Sequence, residues 1–276
     1  MTMRAEPRIE AEEKKLASLS KGWPETRREV AAEIVTALKT TGFAYLTPFS
    51  IENHALVASD IGTIISRSDV KVDKERAALQ EKTRVMKGRP GPYGSETVGF
   101  HTDNIRVDVM AMYCVEQDAE DGAILLLDTD DLARCFSIQE LAALSKLDVW
   151  APSGAPTGKH QEDFFYVAPL LSKADEVYRV YYIPWLLRHP ADEASRAMLK
   201  GFSDYVRHKE ETQLIRLPVR KEESVFIDNH RMLHGRRPIS ENSKRHMVRH
   251  YISVPAMSCC HLIRRVEPES AGQTSP

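Results

Sequence analysis

Three tripeptides in this sequence place a carboxylate two residues after a histidine: His101-Thr-Asp103, His160-Gln-Glu162 and His208-Lys-Glu210. Such a pair gives two ligands to one metal ion only where the backbone aims both side chains at one point. Residues two apart share a face on a β-strand but diverge on a helix. His208 and Glu210 lie on the charged side of an amphipathic helical stretch and read as solvated. His160 sits in a polar loop, PTGKHQED, with no obvious partner, and ranks second. His101 follows a glycine-rich loop and leads into a β run over 107–114, so His101 and Asp103 are expected to offer imidazole and carboxylate to the same ion.

A third ligand must then come from a distant strand. His234 qualifies, because it follows the β run Ser224–Asp228 closely, in Asp228-Asn-His-Arg-Met-Leu-His234-Gly235. Two histidines and one carboxylate leave three positions open on a metal, enough for a bidentate oxo-acid and O2. The oxo-acid needs a cation at its far carboxylate, and the planar fork of arginine suits that role. Arg245 and Arg249 follow His234 by 11 and 15 residues. On a strand their spacing puts them on one face, where two guanidiniums are costly unless they meet anions.

Other residues could touch a substrate. Asn104 is next to the metal pair, and Tyr93 and Glu96 lie in the loop 88–99, GRPGPYGSETVG, which reads equally as a lid or an ordinary connection. Trp185, Tyr181, Tyr182 and the aromatics 164–166 could line a pocket, although aromatics in β runs are more often plain core. His230, His246, His250 and His261 crowd the same part of the sequence, and His246 and His250 read as structural, on faces neighbouring the arginines.

The elements that must hold these groups are short. Residues 8–19 and 24–40 read as amphipathic helices, the second with Val30, Ile34, Val35 and Leu38 at helical spacing. Gly42 stops it, a strand follows over 43–46, and a third helix is expected near 51–65. The charged stretch 70–87 reads as a surface helix without a wide apolar stripe. Beyond the glycine loop come β runs at 105–115, 123–128, 176–183, 214–219, 224–228 and 246–254, interrupted by one helix at 191–209. That pattern predicts a mainly β protein with flanking helices, its core a sandwich, barrel or jelly roll. The tail 267–276, EPESAGQTSP, has the composition of a disordered segment.

The order Gly-Phe-His101-Thr-Asp103, then Asn229-x-Arg-x-Leu-His234-Gly-Arg236, then Arg245-x-x-x-Arg249, resembles the taurine dioxygenase and clavaminate synthase superfamily, over about residues 42–254. The resemblance implies a double-stranded β-helix (jelly-roll, cupin-like) core, with Fe(II) held by His101, Asp103 and His234. It implies Arg245 at the distal carboxylate of 2-oxoglutarate, and Arg249 at the co-substrate's other end or at an acidic group of the substrate. O2 would be the second co-substrate. The family often carries Gly-Gly-x-Thr where this chain has Asp121-Gly-Ala-Ile124, so a hydroxyl contact to 2-oxoglutarate is lost or replaced. Halogenating relatives lack the carboxylate that Asp103 supplies, which favours hydroxylation of an unactivated C–H bond over halogenation. A free amino acid or related carboxylate, in natural-product biosynthesis, is the expected substrate, with a taurine-like sulfonate as runner-up. A zinc hydrolase on the same ligands would leave Arg245 without a role, and a cupin-like module would bind without turnover.

Composition agrees with a small-molecule enzyme. The 276 residues suffice for one catalytic domain over 1–266, with N-terminal helices over about 8–65 and the β-helix core over about 98–256. A net charge of −2 offers no footprint for nucleic acid or an acidic membrane. No apolar run is long enough to span a bilayer, and the charged N-terminus is unlike a signal peptide. Four cysteines without a C-x-x-C pair indicate neither zinc ribbon nor disulfide framework. A reducing cytoplasm is expected, with a homo-oligomer left open.

Overall fold

The computed structural model describes residues 8–9, 23–46, 50–66, 80–82, 97–105, 107–117, 122–152, 165–174, 176–185, 187, 190, 192–212, 215–240, 243–252 and 264–266. Fifteen strands are described: β1 Arg8–Ile9, β2 Phe43–Leu46, β3 Gln80–Lys82, β4 Val98–His101, β5 Val109–Glu116, β6 Ile124–Asp128, β7 Asp148–Pro152, β8 Phe165–Pro169, β9 Leu171–Ala174, β10 Val177–Val180, β11 Ile215–Leu217, β12 Ser224–Asp228, β13 Met232–Arg236, β14 His246–Ile252 and β15 Arg264–Val266. Five helices accompany them: α1 Trp23–Thr41, α2 Ile51–Ser66, α3 Thr129–Ala133, α4 Ile138–Leu144 and α5 Glu193–Thr212.

Two sheets carry the site. The larger runs in the order β1-β2-β12-β5-β14-β3 and the smaller in the order β11-β6-β13-β4. From β3 to β6 the chain alternates between them, and after β11 it alternates again through β12, β13 and β14. Every pairing among these strands is antiparallel except β1 with β2.

The strand period of two explains the layering. Met110, Met112 and Cys114 of β5 meet Val225 and Ile227 of β12, Met247 of β14, Ile124 and Leu126 of β6, and Met232 of β13, between the sheets. The alternate residues face outward. Val109, Ala111, Phe226 and Ile252 pack under α1 and α2, where Ile34, Leu38, Val57 and Ile61 are fully or almost fully buried. Leu125, Leu127, Leu233 and Phe100 pack under α5 through Leu199, Phe202 and Val206. Both faces of both sheets are therefore covered, which is why all five residues of β12 and of β13 are buried.

Local chemistry sets the boundaries. Gly42 ends α1 at a φ of +85°, a left-handed conformation that favours glycine. Ser137 and Glu140 form a capping box at the start of α4.

Several expectations change. The described part of the stretch 70–87 is β3, an edge strand on β14 rather than a surface helix. Of 8–19 only Arg8–Ile9 are described, as a strand parallel to β2 rather than helix. Strands β7, β8 and β9 and helices α3 and α4 were not anticipated, because each is only four to seven residues long, too short to show a clear apolar period. The β5 strand starts at Val109, and the described residues between His101 and it, 102–105 and 107–108, lie outside strands. Tyr93, Glu96, His160, Glu162 and the tail 267–276 lie outside the described residues, as does most of 88–99. Among the described residues no helix is long and apolar enough to cross a membrane.

Candidate metal centre

His234 and His101 lie directly opposite each other in the pairing of β13 with β4. Cross-strand partners bring side chains within contact range, and the two imidazole centroids are 4.4 Å apart. A register shift between His234 and Arg236 lets the strands close tightly; a Cβ on Gly235 would come within 2.7 Å of the Val98 carbonyl oxygen. Sequence reading put His234 just after a β run. It lies instead inside β13, a strand whose short length and internal glycine hid it from the pattern.

Asp103 reaches the same point by a different route from the one expected. The strand ends at His101, so pleat geometry does not align the pair; the loop after it does. Thr102 is fully buried, its N–H donating to the Tyr182 carbonyl at 2.8 Å while its hydroxyl accepts from the Tyr182 N–H at 3.0 Å. Asp103 Oδ1 then stands 3.9 Å from His101 Nε2 and 3.8 Å from His234 Nε2. One ligand atom from each of the three residues lies within 4.8 Å of the others, an arrangement able to hold a metal ion. Asp103 Oδ2 and both ring nitrogens of His234 are buried without a hydrogen-bond partner. Buried polar atoms left so are expensive, and a bound cation would satisfy Asp103 Oδ2 and one ring nitrogen of His234.

Electrostatics favours the ligating forms. Burial first, then the neighbouring His234, lowers the His101 pKa to about 3, so its imidazole is neutral. The Nδ1 of His101 faces the Gly99 carbonyl at 2.8 Å, which aims Nε2 at the centre. Burial alone would raise the Asp103 carboxyl, but His234, Arg249 and His101 hold it well below its ordinary value.

Among the described residues, Arg249 is the arginine at this point. Arg249 Nη1 is 3.8 Å from Asp103 Oδ2 and donates to the Tyr251 hydroxyl at 3.4 Å. Arg236 is buried, and burial followed by the nearby Arg249 lowers its pKa. Arg245, one residue ahead of β14, is buried, donates from Nε to Gln117 Oε1 at 3.0 Å, and packs against Gly122. Gly122 has a φ of +67°, and a Cβ there would come within 2.8 Å of Arg245 Nε. Ile124, where relatives of the pattern carry threonine, is buried between the sheets.

Trp185 stands at this site with half its surface exposed, its ring 4.8 Å from that of His101. Tyr181 is buried, and burial and the charge of Asp103 raise its hydroxyl, which lies near the Ile105 backbone. Tyr182 is buried core. The Asn104 carbonyl accepts from Val107 N at 2.8 Å. Glu210, read as solvated, is half-buried and accepts a hydrogen bond from the Phe100 N–H, so it ties α5 to the strand that carries His101. His208 is exposed, as read.

Two histidines and one carboxylate able to meet at a single ion are the ligand types of the facial triad of non-haem Fe(II) oxygenases. The chain belongs to the taurine catabolism dioxygenase TauD, TfdA family, whose model matches residues 6–251. Enzymes of that family are dioxygenases that depend on Fe(II) and 2-oxoglutarate. No curated protein matches the chain in sequence. Among solved structures it is similar to asparagine oxygenase AsnO, with a TM-score of 0.60 and 12% identity over 90% of this chain and 93% of that one. It is similar to the non-haem iron oxygenase OrfP in complex with Fe, succinate and (3R,4R)-dihydroxy-L-Arg, with a TM-score of 0.62 and 13% identity over 91% and 94%. PvcB from Pseudomonas aeruginosa aligns with a TM-score of 0.57 and 17% identity over 81% and 79%.

Proposed function

We propose that this protein hydroxylates an unactivated C–H bond of a small carboxylate, a free amino acid first among them, using one catalytic domain. Substrate, 2-oxoglutarate and O2 would give hydroxylated substrate, succinate and CO2. The observation that carries the reading is the meeting of His101, Asp103 and His234 beside Arg249, with Arg245 further along the same edge. His101, Asp103 and His234 would hold Fe(II), which supplies the oxidative chemistry when bound. A double-stranded β-helix core is supported by the sheet orders, in which β3, β14, β5 and β12 belong to one sheet and β4, β13, β6 and β11 to the other.

The chain's own residues have defined tasks. The neutral His101 and ionised Asp103 are ready ligands without proton release. Arg245, just ahead of β14, would meet the distal carboxylate of a five-carbon diacid bound at the metal. Arg249, close to Asp103, is placed for the other end of the co-substrate or for a substrate carboxylate. Mutual repulsion between Arg236 and Arg249 would be eased by an anion between them. Trp185 offers an apolar wall beside His101, and Asn104, with Tyr93 and Glu96 on the strength of the sequence alone, would be further substrate contacts.

The substrate class draws support from neighbours in fold. AsnO is described as an asparagine oxygenase, and OrfP is described with hydroxylated arginine. Succinate release by the Fe(II)-loaded protein, screened over amino acids and then sulfonates, tests the proposal. Release with an amino acid supports it. Metal binding without substrate-dependent succinate from any member of the panel would sink it.

A further inference from the structure

The segment Asn229-x-Arg231 precedes His234, yet neither residue has a task in the chemistry above. Asn229 is fully buried. Its Oδ1 accepts the Asp103 N–H at 2.7 Å, and its Nδ2 donates to the carbonyls of Val107 at 2.8 Å and Asn104 at 3.4 Å. The Asn229 backbone N–H adds a bond to the Asp108 carbonyl at 2.9 Å. One carboxamide thus ties Asp103, Asn104 and Val107 to the turn between β12 and β13. No strand ladder holds Asp103 in place, so its carboxylate direction depends on such bonds. Arg231 anchors the other side of the turn, donating to the carbonyls of Lys39 and Thr40 and to Asp128 Oδ2. The turn therefore sits on α1 and hands its rigidity to the carboxylate.

We infer that Asn229 is a positioning residue for the Asp103 carboxylate, fixing its orientation at the metal through the Asp103 backbone N–H. The inference rests on the proposed role of Asp103 as a ligand. Groups that orient ligands typically change metal affinity by roughly 10–100-fold when removed. A residue with a purely structural task would lower thermal stability and leave affinity alone.

The test uses the full chain, chelator-treated and titrated with Co(II) alone, with binding followed by calorimetry. Asn229→Leu removes all three side-chain bonds at similar volume, and is expected to weaken Co(II) binding roughly 10–100-fold. Asn229→Asp keeps an acceptor for the Asp103 N–H and is expected to recover part of that loss; it is also the readable variant if Asn229→Leu does not fold. Val57→Ala, in the core beneath α2, serves as the control, because it lowers melting temperature without touching the loop. The inference is overturned if both Asn229 variants bind Co(II) like the wild type, or if Val57→Ala loses as much affinity for the same drop in melting temperature. Failure of the wild type itself to bind Co(II), or equal binding by Asp103→Ala, would instead strike the ligand assignment.

Discussion

Asp103 lies two residues beyond His101, but that interval served the sequence reading for a reason the fold does not use. Two apart on a strand would have aligned the pair; in fact Thr102 locks onto Tyr182 and the loop turns Asp103 back toward His234. The residue types were legible because few chemistries need two imidazoles, a carboxylate and two arginines in that order. The bonds that aim them were not, since Asn229 and Glu210 act on backbone N–H groups, which carry no sequence signal. At this scale two outcomes are expected. Asp103→Ala should abolish succinate release and weaken Co(II) binding, measured side by side. Arg245→Ala should raise the KM for 2-oxoglutarate with less effect on kcat, a loss of about 1.5–3 kcal/mol for charged hydrogen bonds; an unchanged KM would remove Arg245 from the co-substrate's site.

Elements hold the arginines as the residues hold the metal set. Between Gly122 and β14 the backbone comes close enough that the Arg245 side chain occupies the place of a Cβ. This packing supports Arg245 beside its hydrogen bond to Gln117. Gly122→Ala should therefore act twice: a positive φ costs of order 1–3 kcal/mol for a residue other than glycine, and the displaced guanidinium should raise the KM for 2-oxoglutarate. Melting temperature and KM measured together check it; a lower melting temperature with unchanged KM would mean Arg245 finds its position without this glycine. Strand existence was readable where β-branched and aromatic residues cluster, as in β12, whose bounds Ser224–Asp228 match the expectation. Strands β7 to β9 and β13 escaped because each is only four or five residues long and strand preference depends on packing partners.

On the scale of the whole molecule, the large sheet separates the metal centre from a second group of histidines under the helices. His54 of α2 is fully buried, with its ring 4.8 Å from His250 of β14, 5.4 Å from Tyr113 of β5 and 5.3 Å from Phe226 of β12. Its Nδ1 lies 3.0 Å from the Ser224 hydroxyl. Burial, then the proximity of His250, lowers the His54 pKa well below its ordinary value, and burial lowers His250 as well. In the unfolded chain both would titrate near about 6.5, so below that pH the unfolded state binds protons that the folded state refuses. Stability held above pH 6.5 must therefore be lost as the pH falls, by up to about 1.4 kcal/mol per pH unit for His54. The metal-free protein should melt at a lower temperature at pH 5 than at pH 7. His54→Asn can keep a partner for Ser224 but cannot take up this proton. It should be less stable than the wild type at pH 7.5 through lost packing, and the gap should narrow on acidification. Melting curves in chelator across this range decide the matter. Parallel pH slopes for the two proteins would assign the acid sensitivity elsewhere, to His101 among other groups, and leave the His54 contact as packing alone.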